Sequence, residues 1–340
     1  AAVVDLSGLS LDGGNRPLGA QALVELRGVA DFAMDRCEIA GSSASGIALE
    51  RVSGRIERST VADAAEVALY CVDAGRMQIS SNTIRDCGDG GILVHRRQVA
   101  GDGSIVTGNR IERIGARSGG TGQYGNGINL FRADNVIVSG NHVADCAFSA
   151  IRANSAGNVQ IVGNQCLRSG ETALYSEFSF EGAVISSNLV DGAANGISIA
   201  NLDRGGRLAV CSGNIVLNLV DDAPYEAFES AGFGIGISVE ADAAVTGNVV
   251  EGAPRHGMML GWGPFLRNVA ATGNVVRNAR EGFAVSVVEG VGAAIIADNI
   301  IDGAERGVVG YRWADAVTGD LARKGASGFD HLRVERNIVS

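Results

Sequence analysis

The stretch 136–153, Val-Ile-Val-Ser-Gly-Asn-His-Val-Ala-Asp-Cys-Ala-Phe-Ser-Ala-Ile-Arg-Ala, contains the frame that repeats along this chain. An apolar segment and a small pair precede Asn141, an apolar residue follows two positions later, and a short strand-like segment begins nine positions later. The asparagine position recurs as Asn82, Asn109, Asn141, Asn164, Asn188, Asn214, Asn248, Asn274, Asn299 and Asn337, with Cys37 and Ser59 at the same position near the start. Most steps are 22 to 27 residues, and three are 32, 34 and 38. A repeat of this length with insertions is typical of a solenoid.

Each repeat contains three strand-like pieces. One precedes the asparagine, one follows it, and the third has the pattern Gly-Ile-x-apolar, as in 46–49, 91–94, 127–130, 196–199, 236–239 and 257–260. All are too short for helices and alternate between apolar and polar residues, as strands do. The pattern predicts an all-β fold, a parallel β-helix with three sheets and about 11–12 coils, forming one domain over residues 1–340.

The repeated asparagine has a structural explanation. A sharp turn joins the first two strands, and asparagine tolerates the left-handed conformation better than most residues. Its side chain can then point inward and bond to the asparagine of the next coil. We therefore predict an asparagine ladder, with these residues serving the fold and not the chemistry.

Composition excludes several classes of function. The net charge of −10 argues against nucleic-acid binding, which needs a basic surface. No apolar run is long enough for a transmembrane helix. The six cysteines fall at inward positions of the repeat, for example Cys87, Cys146, Cys166 and Cys211, which favours buried free thiols over disulfides or a metal site. No cofactor is indicated. Both ends of the chain read as unfinished coils, so we expect a trimmed segment of a longer precursor.

The asparagine turns and Gly-Ile strands resemble the right-handed parallel β-helix repeats of the pectin lyase-like superfamily over nearly the whole chain. They are also similar to the uncharacterised twin-arginine-translocated repeat proteins. The resemblance implies a right-handed helix and a periplasmic or extracellular location. That superfamily contains lyases, hydrolases, epimerases, phage depolymerases and non-catalytic proteins, so it implies a fold more specifically than a reaction.

Insertions collect next to the Gly-Ile sheet. The regions near 116–125 and 221–233 precede Gly-Ile strands, and the region near 310–330 follows one. Insertions in solenoids commonly gather on the binding face. We therefore expect 116–125 and 221–233 to wall a groove over this sheet.

Alternation predicts which side chains of the Gly-Ile sheet point outward. In the middle coils these are His95, Asn129, Phe131, Arg152, Asn154, Tyr175 and Glu177, with Arg132, Asn201 and Glu240 at the borders. Aromatic rings, amides and charged groups together have the character of a sugar site. The candidates for substrate binding are Asn129, Phe131, Arg132, Asn154, Asn201 and Glu240.

The same surface predicts one set of catalytic residues. Arg152 is placed to neutralise the carboxylate of a uronic acid, while His95 or Tyr175 moves the neighbouring proton. Glu177 is either a fourth catalytic group or the ion-pair partner of Arg152. Glu177 and Glu240 are the one carboxylate pair compatible with hydrolysis, and no group of Asp residues suggests Ca²⁺.

Two hypotheses follow from these residues. The first is an exported β-helix that binds, and cleaves or epimerises, an acidic polysaccharide along the Gly-Ile sheet. The second is a structural or interaction solenoid, at the cell surface or in the periplasm, without chemistry. The oligomeric state is left open.

Overall fold

A computed structural model describes residues 2–225 and 232–340, and it shows two compact units, Ala1–Gly170 and Glu171–Ser340. In each unit the coils supply three short strands, and equivalent strands of successive coils pair in parallel to form three rows. The described residues make about 12 turns, so the predicted all-β, three-sheet parallel β-helix is confirmed. The expectation of one domain over 1–340 stays a prediction.

In the first unit the rows contain the following strands. The first row is Val3–Ser7, Asp31–Asp35, Gly54–Glu57, Met77–Ser80, Ile105–Thr107, Ile137–Ser139 and Val159–Val162. The second is Ser10–Asp12, Glu38–Ala40, Thr60–Ala62, Thr83–Cys87, Arg110–Ile114 and His142–Cys146. The third, which carries the Gly-Ile pattern, is Ala22–Arg27, Ser45–Glu50, Val67–Val72, Gly90–Gly101, Asn126–Asp134 and Ile151–Asn154. The strand Gln165–Glu177 contributes residues to both units.

The second unit has the same three rows. The first is Glu181–Ser186, Arg207–Ser212, Ala241–Thr246, Arg267–Thr272, Ala294–Ala297 and Leu332–Glu335. The long strand Leu189–Ile199 belongs to the second and third rows. The second continues with Ile215–Leu217, Val249–Glu251, Val275–Arg277, Ile300–Asp302 and Ile338–Val339. The third continues with Ile235–Val239, His256–Leu260, Glu281–Ser286 and Arg306–Arg312.

Short elements fill the described connections of the second unit. The 3₁₀ turns are Leu202–Arg204 and Gly263–Phe265. In the insertion near 310–330, Asp315–Asp320 pairs antiparallel with Arg306–Arg312 and leads into the one-turn helix Leu321–Lys324. Across residues 2–225 and 232–340, no helix has the length and apolar character needed to span a membrane.

The asparagine ladder is present in both units. In the first, the Asn141 backbone N–H and Nδ2 both donate to Asn164 Oδ1 at 3.0 Å, while Asn141 Oδ1 accepts from the backbone N–H of Asn109 at 2.9 Å and from its Nδ2 at 3.0 Å. In the second, Asn214 makes the same pair of bonds to Asn248 at 3.0 and 2.9 Å. These asparagines are almost fully buried, so the ladder satisfies backbone and side-chain groups inside the coils.

One detail of the turn prediction is wrong. The left-handed residue is not the asparagine but the residue before it, as in Ser81 (φ 57°), Gly108 (φ 63°) and Gly140 (φ 62°). This arrangement leaves the asparagine in an ordinary conformation, from which its side chain reaches the next coil.

All six cysteines are free and buried, as predicted. Burial raises the pKa of the Cys87 thiol to about 11 and raises that of Cys71 further. Cys71 and Cys87 therefore remain neutral thiols, and all six cysteines pack as small apolar residues.

Candidate functional site

In the first unit, the third row places the predicted side chains in two lines. His95 pairs with Phe131, and Phe131 with Asn154, while Asn129 pairs with Arg152 on the neighbouring line. The parallel register therefore brings these five residues together on one face of the first unit.

The rings on this face pack against one another. The His95 ring lies 5.3 Å from that of Tyr70 and 5.5 Å from that of Phe131, both edge to face, and the Arg132 guanidinium lies 4.6 Å from the Phe131 ring centroid. Burial lowers the pKa of His95 to about 4, so its ring is neutral at pH 7. Its Nε2 is buried and finds no hydrogen-bond partner within the described residues. The three rings form an edge-to-face cluster in which each ring is partly buried, and Tyr70 also lines a cleft of about 190 Å³ in the first unit.

The loop of residues 116–125 covers Arg152. Asp89 holds this loop by accepting bonds from the backbone N–H and Oγ of Ser118, each at 2.7 Å. A Cβ added at Gly122 would lie 1.7 Å from an Arg152 guanidinium nitrogen, so the two residues are in direct contact. Arg152 is only 9% exposed, which removes the open position that the sequence predicted for it.

The second unit contains an open cleft of about 320 Å³ on its third row. Three predicted residues line it: Tyr175, Asn201 and Glu240. Its other polar and aromatic lining residues are Glu171, Thr172, Asn195, Ser198, Tyr225, Phe233, Ser238 and Trp262. Glu177, predicted as catalytic, is 2% exposed and is not among the lining residues that the structure describes.

Small side chains make the floor of this cleft. Ser198 and Ser238 pair across neighbouring strands, and Ser238 Oγ donates to Ser198 Oγ at 3.1 Å. The next residue at this register is Met259. The corresponding line of the first unit carries the larger side chains of Asn129 and Arg152. The small serine side chains therefore leave more open space above the strands of the second unit.

Tyr225, Gly232 and Phe233 of the insertion near 221–233 line one wall of the cleft, and residues 226–231 lie outside the described chain. Tyr225 donates its hydroxyl to Glu171 Oε1 at 2.5 Å, and its ring meets that of Phe233 edge to face at 5.6 Å. The hydroxyl bond fixes the loop to the third row and keeps both rings at the cleft.

Glu240 lies at the opposite edge of the lining, beside the 3₁₀ turn Leu202–Arg204. Its Oε2 accepts the backbone N–H of Leu202 at 2.6 Å, and the residue is 8% exposed. Burial raises the pKa of Glu240 to about 7, against the lowering effect of the hydrogen bonds from the Leu202 and Asn201 backbone. A carboxyl that titrates near neutrality in a cleft can both donate and accept a proton.

A second buried cluster was missed from the sequence, where His256 looked uninformative. His256 Nδ1 lies 3.0 Å from Glu281 Oε2, to which Tyr311 also donates at 2.7 Å, and Arg306 bonds to the other oxygen. Burial lowers the pKa of His256. Burial acts to raise the pKa of Glu281, but the nearby His256 ring, the hydrogen bond from Tyr311 and the Arg306 guanidinium outweigh it and lower that pKa. The signal was present, because His256, Glu281 and Arg306 occupy one register position on successive strands.

The two tryptophans lie next to this cluster. Trp262 lines the cleft and meets Trp313 edge to face at 5.7 Å, while Trp313 also meets Phe265 at 6.3 Å. Trp313 is 46% exposed. Of the two, Trp262 is the one whose ring faces the cleft.

Comparisons with solved structures find the same fold at low sequence identity. DFA-IIIase from Arthrobacter chlorophenolicus A6 without its lid is 16% identical with a TM-score of 0.52, covering 90% of this chain and 73% of that chain. Alginate lyase from Paenibacillus sp. str. FPU-7 is 16% identical with a TM-score of 0.46, covering 81% of this chain and 95% of that chain. PfbA, a surface adhesin of Streptococcus pneumoniae, is 11% identical with a TM-score of 0.43, covering 88% of this chain and 75% of that chain. No curated protein gives a significant match.

A family model settles the family. The model described as "Right handed beta helix region" matches residues 19–122 and 45–205, more than half of the 340 residues. The predicted resemblance to the pectin lyase-like superfamily is thereby confirmed at the level of the fold. The chain belongs to the right handed beta helix family.

Proposed function

We propose that this protein binds a carbohydrate in the cleft of the second unit. The observation that carries the proposal is the lining itself, an open space of about 320 Å³ in which aromatic rings alternate with hydroxyl, amide and carboxylate groups. Sugar rings have an apolar face of C–H groups and a rim of hydroxyls, and such a lining matches both.

The residues that line the cleft differ in the kind of contact that they can make with a sugar. Tyr175, Tyr225 and Trp262 offer ring faces or edges, and Asn195 and Asn201 offer amides that can both donate and accept. Ser198 and Ser238 form the floor, where a ring can approach the backbone closely. The wall is held in place by the bond from Tyr225 to Glu171. This preorganisation lowers the entropic cost of binding.

The sequence prediction named an acidic polysaccharide and placed Arg152, Arg132 and His95 among its contacts. That finer version depends on cations that can reach a carboxylate. Arg152 lies under Gly122, and Arg132 donates to the backbone carbonyl of Arg97 at 2.9 Å and stacks on Phe131. These contacts favour a structural role for both arginines, so the proposal rests on the second unit.

Acid–base chemistry on the bound glycan is the second candidate function, and the titration of Glu240 near pH 7 supports it. Tyr175 lines the same cleft and is the one predicted catalytic residue that stays in this proposal beside Glu240. A non-catalytic binding solenoid, exported to the periplasm or cell surface, is the alternative.

Binding is tested with a panel of neutral, acidic and amino oligosaccharides, by calorimetry and by tryptophan fluorescence. Both tryptophans, Trp262 and Trp313, belong to the second unit, so fluorescence reports on the proposed site. Tyr225→Ala is expected to weaken binding at least tenfold. The matched control is Tyr124→Ala, another loop tyrosine, which lies in the first unit and is 36% exposed. Absence of binding to every member, or equal loss in both variants, contradicts the proposal.

Catalysis is tested on the glycans that bind. Incubation followed by analysis of new reducing ends, unsaturated ends and epimers separates the possible reactions. Glu240→Gln is expected to abolish turnover while the glycan still binds. If wild-type protein leaves every bound glycan unchanged, the non-catalytic alternative holds.

A further inference from the structure

We infer that the glycan taken by this cleft is non-anionic, carrying neutral or amino-bearing sugars where it contacts the protein. The inference rests on the proposed function and specifies its substrate class. It replaces the acidic polysaccharide expected from the sequence.

The charged groups of the described lining have one sign. They are Glu171 and Glu240, and no Lys or Arg is among the described residues that line the cleft. The surroundings add negative charge, since Asp221 and Asp222 lie on the wall loop and are exposed. Asp203 lies close enough to Glu240 to act on it electrostatically.

The cations nearest in sequence to this lining are already placed elsewhere. Arg204 Nε lies 3.3 Å from its neighbour Asp203. Arg255 packs behind the wall, where a Cβ added at Gly232 would lie 1.6 Å from its guanidinium nitrogen. It lines the small cavity beside His256 and Trp262. Among the described lining residues, the charged groups that a uronate or sulfate would meet are therefore carboxylates and not guanidinium groups.

Electrostatics then disfavours an anionic glycan. Like charges repel more strongly in a partly desolvated cleft than in water. Above its pKa of about 7, Glu240 is ionised and offers no donor to a ligand carboxylate. Sugar hydroxyls and ammonium groups donate hydrogen bonds, so they suit the acceptor oxygens of Glu171 and Glu240. The lining therefore discriminates partly by repulsion, because its carboxylates disfavour a ligand of the same charge.

The length of the cleft indicates an oligosaccharide. Ile235 and Glu240 both line it and are five residues apart on one extended segment. At a strand rise of about 3.3 Å per residue, the segment spans roughly 16 Å. That length exceeds a single sugar ring, so the cleft has room for more than one sugar unit along this strand, across the third row.

The test uses pairs of oligosaccharides that differ only in charge. A β-1,4-linked mannohexaose and the corresponding mannuronate hexamer share the same backbone and differ at C6, and a chitosan hexamer supplies the amino-bearing arm. Calorimetry at low salt is expected to give mannohexaose or chitosan oligomers at least tenfold tighter binding than the uronate. Replacing both Glu171 and Glu240 with Gln is expected to reduce this difference in affinity between the uronate hexamer and the other two hexamers.

Glu181→Gln is the matched control, because it removes an exposed carboxylate of the second unit outside the cleft. This control variant is expected to leave the difference in affinity between the hexamers unchanged. Two results overturn the inference while the proposed function stands. One is that the uronate binds as tightly as the neutral hexamer, and the other is that the double variant keeps the same difference in affinity. Failure of all three hexamers and of the wider panel to bind overturns both.

Discussion

The third rows of the two units are built on the same parallel frame and present very different surfaces. In the first unit the rings of Tyr70, His95 and Phe131 pack edge to face, and a loop lies on Arg152. In the second unit Ser198 and Ser238 occupy the line that carries Asn129 and Arg152 in the first, and the cleft above them is open.

The difference teaches that an outward position is not the same as an accessible one. Alternation along a strand decides which side chains leave the solenoid interior. Their exposure then depends on side-chain size and on loops from other coils. In the first unit packed rings and a loop cover part of this surface and leave a cleft of about 190 Å³, whereas the cleft of the second unit is larger, at about 320 Å³.

The largest loss of stability is expected from substitutions in the asparagine ladder, which is present in both units. Asn141→Ala and Asn214→Ala each leave two buried donors of the preceding asparagine without their acceptor, Asn109 in the first case and Asn188 in the second. At about 1–3 kcal/mol for each unsatisfied donor, either variant should lose roughly 2–6 kcal/mol of unfolding free energy. Hydrogen exchange measured by mass spectrometry reports on each unit separately.

Gln160→Ala, at an exposed strand position of the first unit, is the control and should change little. The comparison assumes that the frames are equivalent. A large loss for one ladder variant and a negligible loss for the other would contradict that assumption.

The ladder was predictable from the sequence, and the reason is physical. A buried position that recurs once per coil and carries the same amide in ten successive coils implies bonds between coils. The left-handed residue before it was missed, although Gly108 and Gly140 directly precede ladder asparagines and glycine favours that conformation. Ser81 fills the same role without glycine, which shows that the turn geometry is imposed by the frame.

The site was predictable only in part. Alternation found Tyr175 and Glu240, because both follow from the strand period. The contact between Tyr225 and Glu171 joins residues 54 positions apart through an insertion, and no period predicts such a pair. The cover over Arg152 was missed for the same reason, since it depends on how a glycine-rich loop folds back.

The free energy of unfolding of the two units should also change with pH in opposite directions. In the second unit burial raises the pKa of Glu240 from 4.5 to about 7, so the folded unit binds the proton more tightly than the unfolded chain. Its contribution to stability is present below about pH 4.5 and is lost as the pH rises to about 7. The loss is at most about 3 kcal/mol. Hydrogen exchange of the second unit should show this slope, and Glu240→Gln should remove it.

In the first unit His95 gives stability the opposite dependence on pH. Burial lowers its pKa from 6.5 to about 4, so the folded unit disfavours the charged ring. The contribution of His95 is present above about pH 6.5 and is lost as the pH falls to about 4, again by at most about 3 kcal/mol. His95→Gln should flatten the exchange profile of the first unit between these values. Slopes of the same sign in both units would show that other groups dominate.

A smaller effect is expected from disturbing the cover of the first unit. Gly122→Ala places a methyl group against the Arg152 guanidinium, while Gly119→Ala meets nothing within 4 Å. Both glycines have positive φ, 121° and 74°, so both variants bear backbone strain. The additional loss at Gly122 should be about 1–2 kcal/mol, from displacement of a packed side chain. Equal losses in denaturant titrations would mean that the loop does not press on Arg152.

The smallest effect separates the two kinds of tyrosine. Tyr225→Phe removes the hydroxyl that bonds to Glu171 and keeps the ring, so it should cost about 0.5–1.5 kcal/mol. It should also speed hydrogen exchange in the described part of the wall loop. Tyr70→Phe is the matched variant in the first unit, where the ring packs on His95 and the hydroxyl makes no hydrogen bond to the described residues. That variant should be nearly neutral, because its ring contact survives. A loss at Tyr70 equal to that at Tyr225 would mean that the first-unit surface also depends on a polar anchor, and the contrast between a packed face and an anchored cleft would fail.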